Sequence, residues 1–364
     1  AAPETHNNAK PFLIFMPSFL RRSRFVALVV LSSITSALMM TKTKYATVSE
    51  LAEAIREKSK ISFLTGAGVS VAAGIPDFRS PGGMYATLRP ELLTATEQQK
   101  ALMRKDPVYV VEKSMFFQNQ FPYHEVRRPF ILGTKERRWK PTLFHHFVER
   151  LDKEGKLLTL VTQNIDGLDF LTKTDPSKIC PCHGSIARAS CENCGHCVDF
   201  DFYCGLVKTH IKDIYGLDPE APADSKRIYC PKCRQATIKP TTVLFGSSLP
   251  PAFFEVLDTV VPKADLLFVV GTSLVVSPAN MVPVKAKCPR VVVDREEPAG
   301  APSLGLDFGR SRDSFFQSDA DALFATLMHE LGWLTDVDDS LLPPDSITAK
   351  YNAINHHGGA GVVV

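Results

Sequence analysis

Four short apolar runs end in the same way, and this repetition constrains the fold more than any other feature of the chain. Residues 61–64 run into Thr65-Gly66-Ala67-Gly68, residues 157–161 into Gln163, Asn164 and Asp166, residues 266–270 into Gly271-Thr272-Ser273, and residues 291–293 into Asp294. Runs this short and mostly apolar read as strands covered on both faces. Helical patterns precede the first two. Thr47 and Glu50 form a capping-box pattern ahead of Leu51, Ala52 and Ile55, and Pro141 stands where a first helical residue would, with Gly155 closing the segment. Strands alternating with helices predict an α/β fold with a doubly wound parallel, Rossmann-like sheet. Polar residues gathered at the strand ends predict one ligand cleft along the C-terminal edge. A last helix is expected over 319–333, started by Ser318 and Asp321 and apolar through Leu323, Leu327 and Leu331.

Two stretches break this alternation. Residues 85–140 read as a helical insertion, with Arg127, Arg128, Lys135, Arg137, Arg138 and Lys140 expected on a solvated face. Residues 184–239 carry cysteine pairs. Of nine cysteines, six fall between Cys180 and Cys204, and Cys230 and Cys233 add another pair. Such clustering speaks for metal binding in a reducing compartment rather than for an extracellular disulfide framework. Cys191, Cys194, Cys230 and Cys233 can supply four thiolates to a closed structural zinc site, although Cys197 or Cys204 could replace Cys194. The non-metal alternative is a set of free buried thiols.

With 42 basic and 39 acidic residues the chain has a formal charge of +3, which gives no direct nucleic-acid signal. Residues 1–45 form an extension, either targeting or disordered: Arg21, Arg22 and Arg24 precede the uncharged run 25–40, which is too short and too rich in Ser and Thr for a confident membrane span. The expected setting is intracellular, nuclear or cytoplasmic, or mitochondrial or another organelle if that segment is a targeting sequence. Residues 46–334 are then one domain, with its core in 46–84, 141–183 and 240–334 and a cysteine-bearing zinc module at 184–239, and 335–364 is a tail.

The first glycine turn lacks the Gly-x-Gly-x-x-Gly spacing of hydride-transferring dehydrogenases, because the next glycine after Gly68 is Gly74. An acid, an aromatic ring and a guanidinium follow in residues 74–80, which place Asp77, Phe78 and Arg79 beside a phosphate-type turn. Together with Thr162-Gln163-Asn164-Ile165-Asp166, His183-Gly184-Ser185, the two Cys-x-x-Cys pairs and Gly271-Thr272-Ser273, this order resembles the sirtuin family, and the class I deacetylases within it, over roughly residues 47–334.

The resemblance implies an NAD-dependent protein lysine deacylase, acetyl by default, that releases nicotinamide and an O-acyl-ADP-ribose. NAD would lie on Gly66, Ala67, Gly68, Val69, Ser70, Asp77, Phe78 and Arg79, with Gln163, Asn164 and Asp166 at the ribose and nicotinamide. Gly271, Thr272, Ser273, Asp294, Glu296 and Ser318 would hold the adenosine side. His183 would be the base, and a neutral imidazole with its ordinary pKa near 6.5 suits removal of a ribose hydroxyl proton. Val243, Leu244, Phe245 and Gly246 resemble the segment that pairs with an acyl-lysine peptide as an added strand. The partners implied are acyl-lysine proteins or peptides, histones among the candidates.

Ser247 stands where the family usually has Glu, Asp294 where Asn is common, Ser318 where Cys is common, and Pro181 where an acid precedes the histidine. Two other activities remain compatible with the same residues. One is protein mono-ADP-ribosyl transfer, and the other is a weakly active NAD- and zinc-dependent scaffold for acyl-lysine proteins.

Overall fold

A computed structural model describes residues 44–75, 83–309 and 312–342. Its strands are β1 (Ile61–Thr65), β2 (Leu157–Thr162), β3 (Ile179–Pro181), β4 (Ala189–Cys191), β5 (Cys197–Val198), β6 (Ile238–Pro240), β7 (Leu266–Val270), β8 (Arg290–Asp294) and β9 (Asp313–Gln317). Six of them build one sheet in the order β3-β2-β1-β7-β8-β9, and every neighbouring pair is parallel. This is the doubly wound order, reversing direction between β1 and β7. The longer helices are α1 (Val48–Glu57), α2 (Glu97–Lys105), α3 (Phe121–Lys135), α4 (Leu143–Lys153), α5 (Phe200–His210) and α6 (Ala320–Leu331).

The strand period of two sorts the sheet into two cores. Phe63 and Phe268 point to one face, stacked with ring centroids 5.1 Å apart, and meet Phe144 and Phe147 of α4 and Phe324 of α6. Leu64, Leu267 and Val269 point to the other, under Leu249, Phe253, Leu257 and Val282. At the opposite end from the glycine turns, β8 and β9 are joined by a buried bidentate pair: Arg290 donates to both carboxylate oxygens of Asp313 at 2.6 Å each, and its third nitrogen donates to the Pro283 carbonyl.

Several local expectations change. Pro141 is not the first helical residue, because Thr142 is the N-cap of α4 and Pro141 precedes it. Asp321 does not start its own helix. Its carboxylate accepts the Phe144 N–H at 3.0 Å, placing a negative charge at the N-terminus of α4 instead. The chain stays packed past residue 334, with Val337 and Leu342 buried in the first core. The basic run is not one solvated face: Lys135, Arg137, Arg138 and Lys140 are exposed, but Arg127 and Arg128 are buried. Arg128 pairs with Asp218 at 2.6 Å and donates to the Ile211 carbonyl, which fastens α3 to the cysteine-bearing module. Most of residues 1–45 and of the tail lies outside the described residues, and no described helix is long and apolar enough to cross a membrane.

Candidate active site

The two glycine turns meet where the sheet reverses. Gly66 donates its N–H to the Val270 carbonyl and Gly68 to the Gly271 carbonyl, each at 3.0 Å. A Cβ on Gly66 would stand 2.5 Å from Gly271 O, one on Gly68 2.5 Å from Gly271 Cα, and one on Gly271 2.6 Å from Gly68 Cα. Backbone therefore lies directly on backbone, and no side chain separates the turns. The resulting cavity of about 530 Å³ is lined by Gly66, Ala67 and Gly68, by Gln163, Asn164 and His183, by residues 242–247, and by Gly271, Thr272, Ser273, Asp294, Glu296 and Ser318. That volume lies within the range of small-molecule and cofactor sites, roughly 300–1,000 Å³.

A chain of hydrogen bonds fixes the polar residues. Gln163 donates from Nε2 to Thr272 Oγ1 at 2.9 Å, across the switch point. Asn164 donates from Nδ2 to the Gly66 carbonyl at 3.0 Å and to Ser70 Oγ at 3.2 Å, and Ser70 donates to Asp166 Oδ2 at 2.8 Å. The other oxygen of Asp166 accepts the Leu168 N–H at 2.9 Å. Burial pushes the Asp166 carboxyl above its ordinary pKa against these two bonds. Ser70 and Asp166 line a second, smaller cavity with Ala67, Arg127, Asn164, Ile165 and Ile186, rather than the main one. Val69 departs from the expected set: its side chain is buried in the first core, and its carbonyl accepts from Thr142 Oγ1.

His183 follows β3 at the end of the cavity remote from Asp294. Its Nδ1 lies 2.9 Å from the Gln163 carbonyl, and a carbonyl can only accept, so the proton is on Nδ1. Burial lowers the His183 pKa, opposed by that hydrogen bond. The ring is therefore neutral at neutral pH, with its lone pair on Nε2. The backbone behind it leaves no room for a side chain: a Cβ on Gly184 would meet Thr241 O at 2.0 Å. The His183 carbonyl accepts the Val243 N–H at 2.8 Å, tying the base to residues 243–246. Those residues line the cavity without forming a strand, since Phe245 makes only an isolated bridge to Glu112 before the Leu244–Ser247 turn.

At the adenosine end expected from the sequence, Asp294 accepts the Arg295 N–H at 2.8 Å, and Ser318 donates its N–H to the Asp294 carbonyl at 3.0 Å. Burial raises the Asp294 pKa. Asp77, Phe78 and Arg79 lie outside the described residues. The structure also brings in Tyr85, Val111, Arg127 and Leu249, which the sequence analysis did not select. Asp169, buried close to Asp166, was missed as well. Its Oδ1 lies 3.7 Å from Nε2 of the buried His145, and burial and the neighbouring Asp166 push its pKa up to about 7.

The cysteine alternatives are now separated. The sulfurs of Cys191, Cys194, Cys230 and Cys233 all lie within 4.8 Å of one another, with Cys191–Cys233 at 3.5 Å and Cys194–Cys230 at 3.8 Å. A tetrahedron of Zn–S bonds of about 2.3 Å spaces its sulfurs by about 3.8 Å, so these four donors fit zinc. Two similar turns present them: Gly195 donates to Cys191 O and Arg234 to Cys230 O, both at 2.9 Å, and both residues are left-handed. Cys197 is exposed on β5, and Cys204 is buried on α5 against the Ile131 carbonyl. β4 carries the first turn at the centre of the small antiparallel sheet β5-β4-β6.

Fold and site together define a Rossmann-type domain with a glycine-lined cleft, a neutral histidine at one end and a four-cysteine module. The model of the Sir2 family matches residues 66–278, and the chain belongs to that family. It is 34% identical over 296 residues to the NAD-dependent protein deacetylase sirtuin-1 of Rattus norvegicus, covering 79% of this chain and 46% of the rat protein. It is 33% identical over 250 residues to the NAD-dependent protein deacetylase HST2 of Candida albicans, covering 68% of this chain and 66% of that protein. The chain thus spans less than half of the rat relative. Two solved Sir2 structures share the fold at TM-scores of 0.59 and 0.61 and identities of 23% and 22%, each covering 79% of this chain and 98% and 99% of their own. The second holds a deacetylated p53 peptide and 3'-O-acetyl ADP-ribose.

Proposed function

We propose that the chain removes acyl groups from protein lysine in an NAD-dependent reaction, with acetyl-lysine among its substrates. The observation that carries this reading is His183, held as the Nδ1–H tautomer by the Gln163 carbonyl and lining the same cavity as the glycine turns. Those turns fit a dinucleotide. Gly66, Gly68 and Gly271 offer bare backbone where a phosphate must approach closely, and Asp294 stands at the far end, where an acid would accept from ribose hydroxyls. NAD, when bound, supplies a ribose carbon from which nicotinamide is displaced by the acyl oxygen.

The chain's own residues then divide the work. Gln163 and Asn164, locked to Thr272 and Gly66, position the nicotinamide-side ribose, and His183 Nε2 accepts a proton from its hydroxyl. Residues 243–246 receive the acyl-lysine peptide. Phe245 already gives its N–H to Val111 and takes the Lys113 N–H, so the peptide pairs along the opposite edge, which carries Leu244 and Gly246. Cys191, Cys194, Cys230 and Cys233 hold a structural zinc remote from the chemistry.

The experiment is mass spectrometry of acyl-peptide libraries incubated with and without NAD. NAD-dependent loss of acyl groups supports the reading. Transfer of ADP-ribose onto protein or peptide with acyl groups intact would overturn it.

A further inference from the structure

Lys239 lies in β6 of the cysteine module and is only 2% exposed. Lysine is almost never buried so fully unless it is paired, because each N–H taken out of water needs an acceptor. Three acceptors surround its Nζ: Glu192 Oε2 at 2.9 Å, the Pro240 carbonyl at 3.0 Å and the Thr242 carbonyl at 2.5 Å. A lysine ammonium has three donors, so each N–H has its own partner. Strand alternation turns the side chain away from Ile238, which packs into the core of the module.

The Thr242 carbonyl and the Val243 N–H belong to one planar peptide unit. Lys239 holds its oxygen, and its N–H donates to the His183 carbonyl at 2.8 Å. The plane is therefore fixed at both ends, by a cation of the module and by the backbone of His183. Residues 243–246 leave from this plane. The residues before it are anchored separately: Thr241 donates its N–H to the Arg188 carbonyl at 2.8 Å and its hydroxyl to the Ser185 carbonyl at 3.1 Å, and Thr242 Oγ1 lies 2.7 Å from the Tyr123 hydroxyl. None of these bonds uses the 242–243 peptide unit itself.

Glu192 supplies the negative charge beside the ammonium. It directly follows Cys191, and its N–H donates to the Thr237 carbonyl at 2.8 Å, so the turn that presents the first cysteine pair also carries this carboxylate. Neither Glu192 nor Lys239 lines the main cavity, whereas Thr242 and residues 243–246 do. An added strand needs donors and acceptors aligned within a few tenths of an ångström, and rotation of the plane from which the receiving segment departs would spoil that alignment. The glycine turns and Gln163 are held by Val270, Gly271 and Thr272 instead, with no bond to Lys239. We propose that Lys239 is a positioning residue for the acyl-lysine substrate, orienting the 242–243 peptide unit so that residues 243–246 present their free edge, and that Glu192 acts through it. This rests on the deacylase reading and assigns substrate affinity to a pair outside the cavity.

The test uses the full zinc-loaded chain, NAD and one acetyl-lysine peptide, read as kcat and KM for each co-substrate, with peptide affinity by calorimetry on the same samples. Lys239→Met, which keeps the length and removes the donors, should raise the peptide KM and Kd about tenfold or more, the scale of a charge-assisted hydrogen bond, while kcat and the KM for NAD stay within about twofold. Lys239→Arg, which keeps charge and donors, should restore part of the affinity. Glu192→Gln should raise the peptide KM about threefold, and adding it to Lys239→Met should change nothing further, since Glu192 acts only through Lys239. Melting temperature and zinc content are measured for every variant. A folded Lys239→Met protein with full zinc and an unchanged peptide KM would overturn the proposal. Equal losses on peptide and NAD would overturn it too, because they mark a general loosening of the fold. Should Lys239→Met fail to fold, Glu192→Gln decides: a raised peptide KM with NAD unaffected upholds the proposal, and an unchanged one overturns it. These outcomes leave the deacylase reading intact as long as the unmodified protein deacylates the peptide. Its failure to do so with NAD present removes that reading and this inference with it.

Discussion

The contact between the two glycine turns can be tested by adding one carbon. In Gly271→Ala the new Cβ would lie 2.6 Å from Gly68 Cα and 2.9 Å from both Gly68 C and Val69 N, at a residue with φ of +61°. The left-handed conformation costs an L-residue about 1–2 kcal/mol. Forcing atoms into packed backbone typically costs about 1–3 kcal/mol more. The sum, about 2–5 kcal/mol, is a large share of an ordinary domain stability of about 5–15 kcal/mol. Gly305→Ala is the matched control, because Gly305 has φ of +67° and nothing within 4 Å of its Cβ position, so only the conformational cost remains. The assay is urea unfolding of the unmodified protein and both variants, with NAD affinity by calorimetry. For an m-value near 3 kcal/mol/M, Gly271→Ala should lower the midpoint by roughly 1 M or more and Gly305→Ala by about half that or less. NAD binding should weaken only in Gly271→Ala. Equal midpoint shifts in the two variants would refute the close approach of the turns.

Three further outcomes follow from other parts of the molecule. Cys191→Ser or Cys233→Ser should lose about one equivalent of zinc by metal analysis and destabilise the module, since each thiolate is one quarter of a closed shell; unchanged zinc in both would contradict the ligand set. Asp169 has a folded-state pKa of about 7, raised above its unfolded value, so its contribution to stability is full below about pH 4 and is lost as pH rises to about 7. Relative to Asp169→Asn, the unmodified protein should therefore lose unfolding free energy between pH 5 and pH 7.5, by at most about 1.4 kcal/mol per pH unit, and a flat difference would show that Asp169 is not protonated in the native state. Asp294 should disfavour a 2'-phosphate, so NAD should bind about tenfold or more better than NADP, and Asp294→Asn should narrow that gap in calorimetric titrations; equal affinities in the unmodified protein would remove Asp294 from the ribose.

The sheet was legible where strands are buried on both faces, because β1, β2, β7 and β8 are then mostly apolar runs with polar ends. Edge strands gave no such signal. β3 has three residues, and β9 begins with Asp313, whose buried carboxylate is held by partners from other segments, the Arg290 guanidinium and the Asp307 N–H. Residues 243–246 carry an apolar run that suggests a strand, but Gly246 is left-handed and turns the chain after a single bridge. The cysteine spacing identified a metal module, but only three-dimensional placement could choose Cys194 over Cys197 and Cys204. Arg127 was hidden for a related reason: charge density along the chain does not say which way a helical side chain turns, and its neighbours at 135, 137, 138 and 140 are exposed. Asp169 and His145 lie in apolar-rich segments, and although Thr142 caps His145 within its own helix, the approach of the two side chains to each other joins segments far apart in the chain.

The central claim, that this cleft couples NAD cleavage to lysine deacylation through His183, is tested most directly by stoichiometry. Purified protein is incubated with NAD and an acyl-lysine peptide, and nicotinamide, deacylated peptide and O-acyl-ADP-ribose are quantified together, with His183→Tyr in parallel. The account predicts equal amounts of the three products, no acyl loss without NAD, and a reduction of orders of magnitude in a His183→Tyr protein that still folds and retains zinc. Undiminished deacylation by His183→Tyr, or acyl loss independent of NAD, would contradict it.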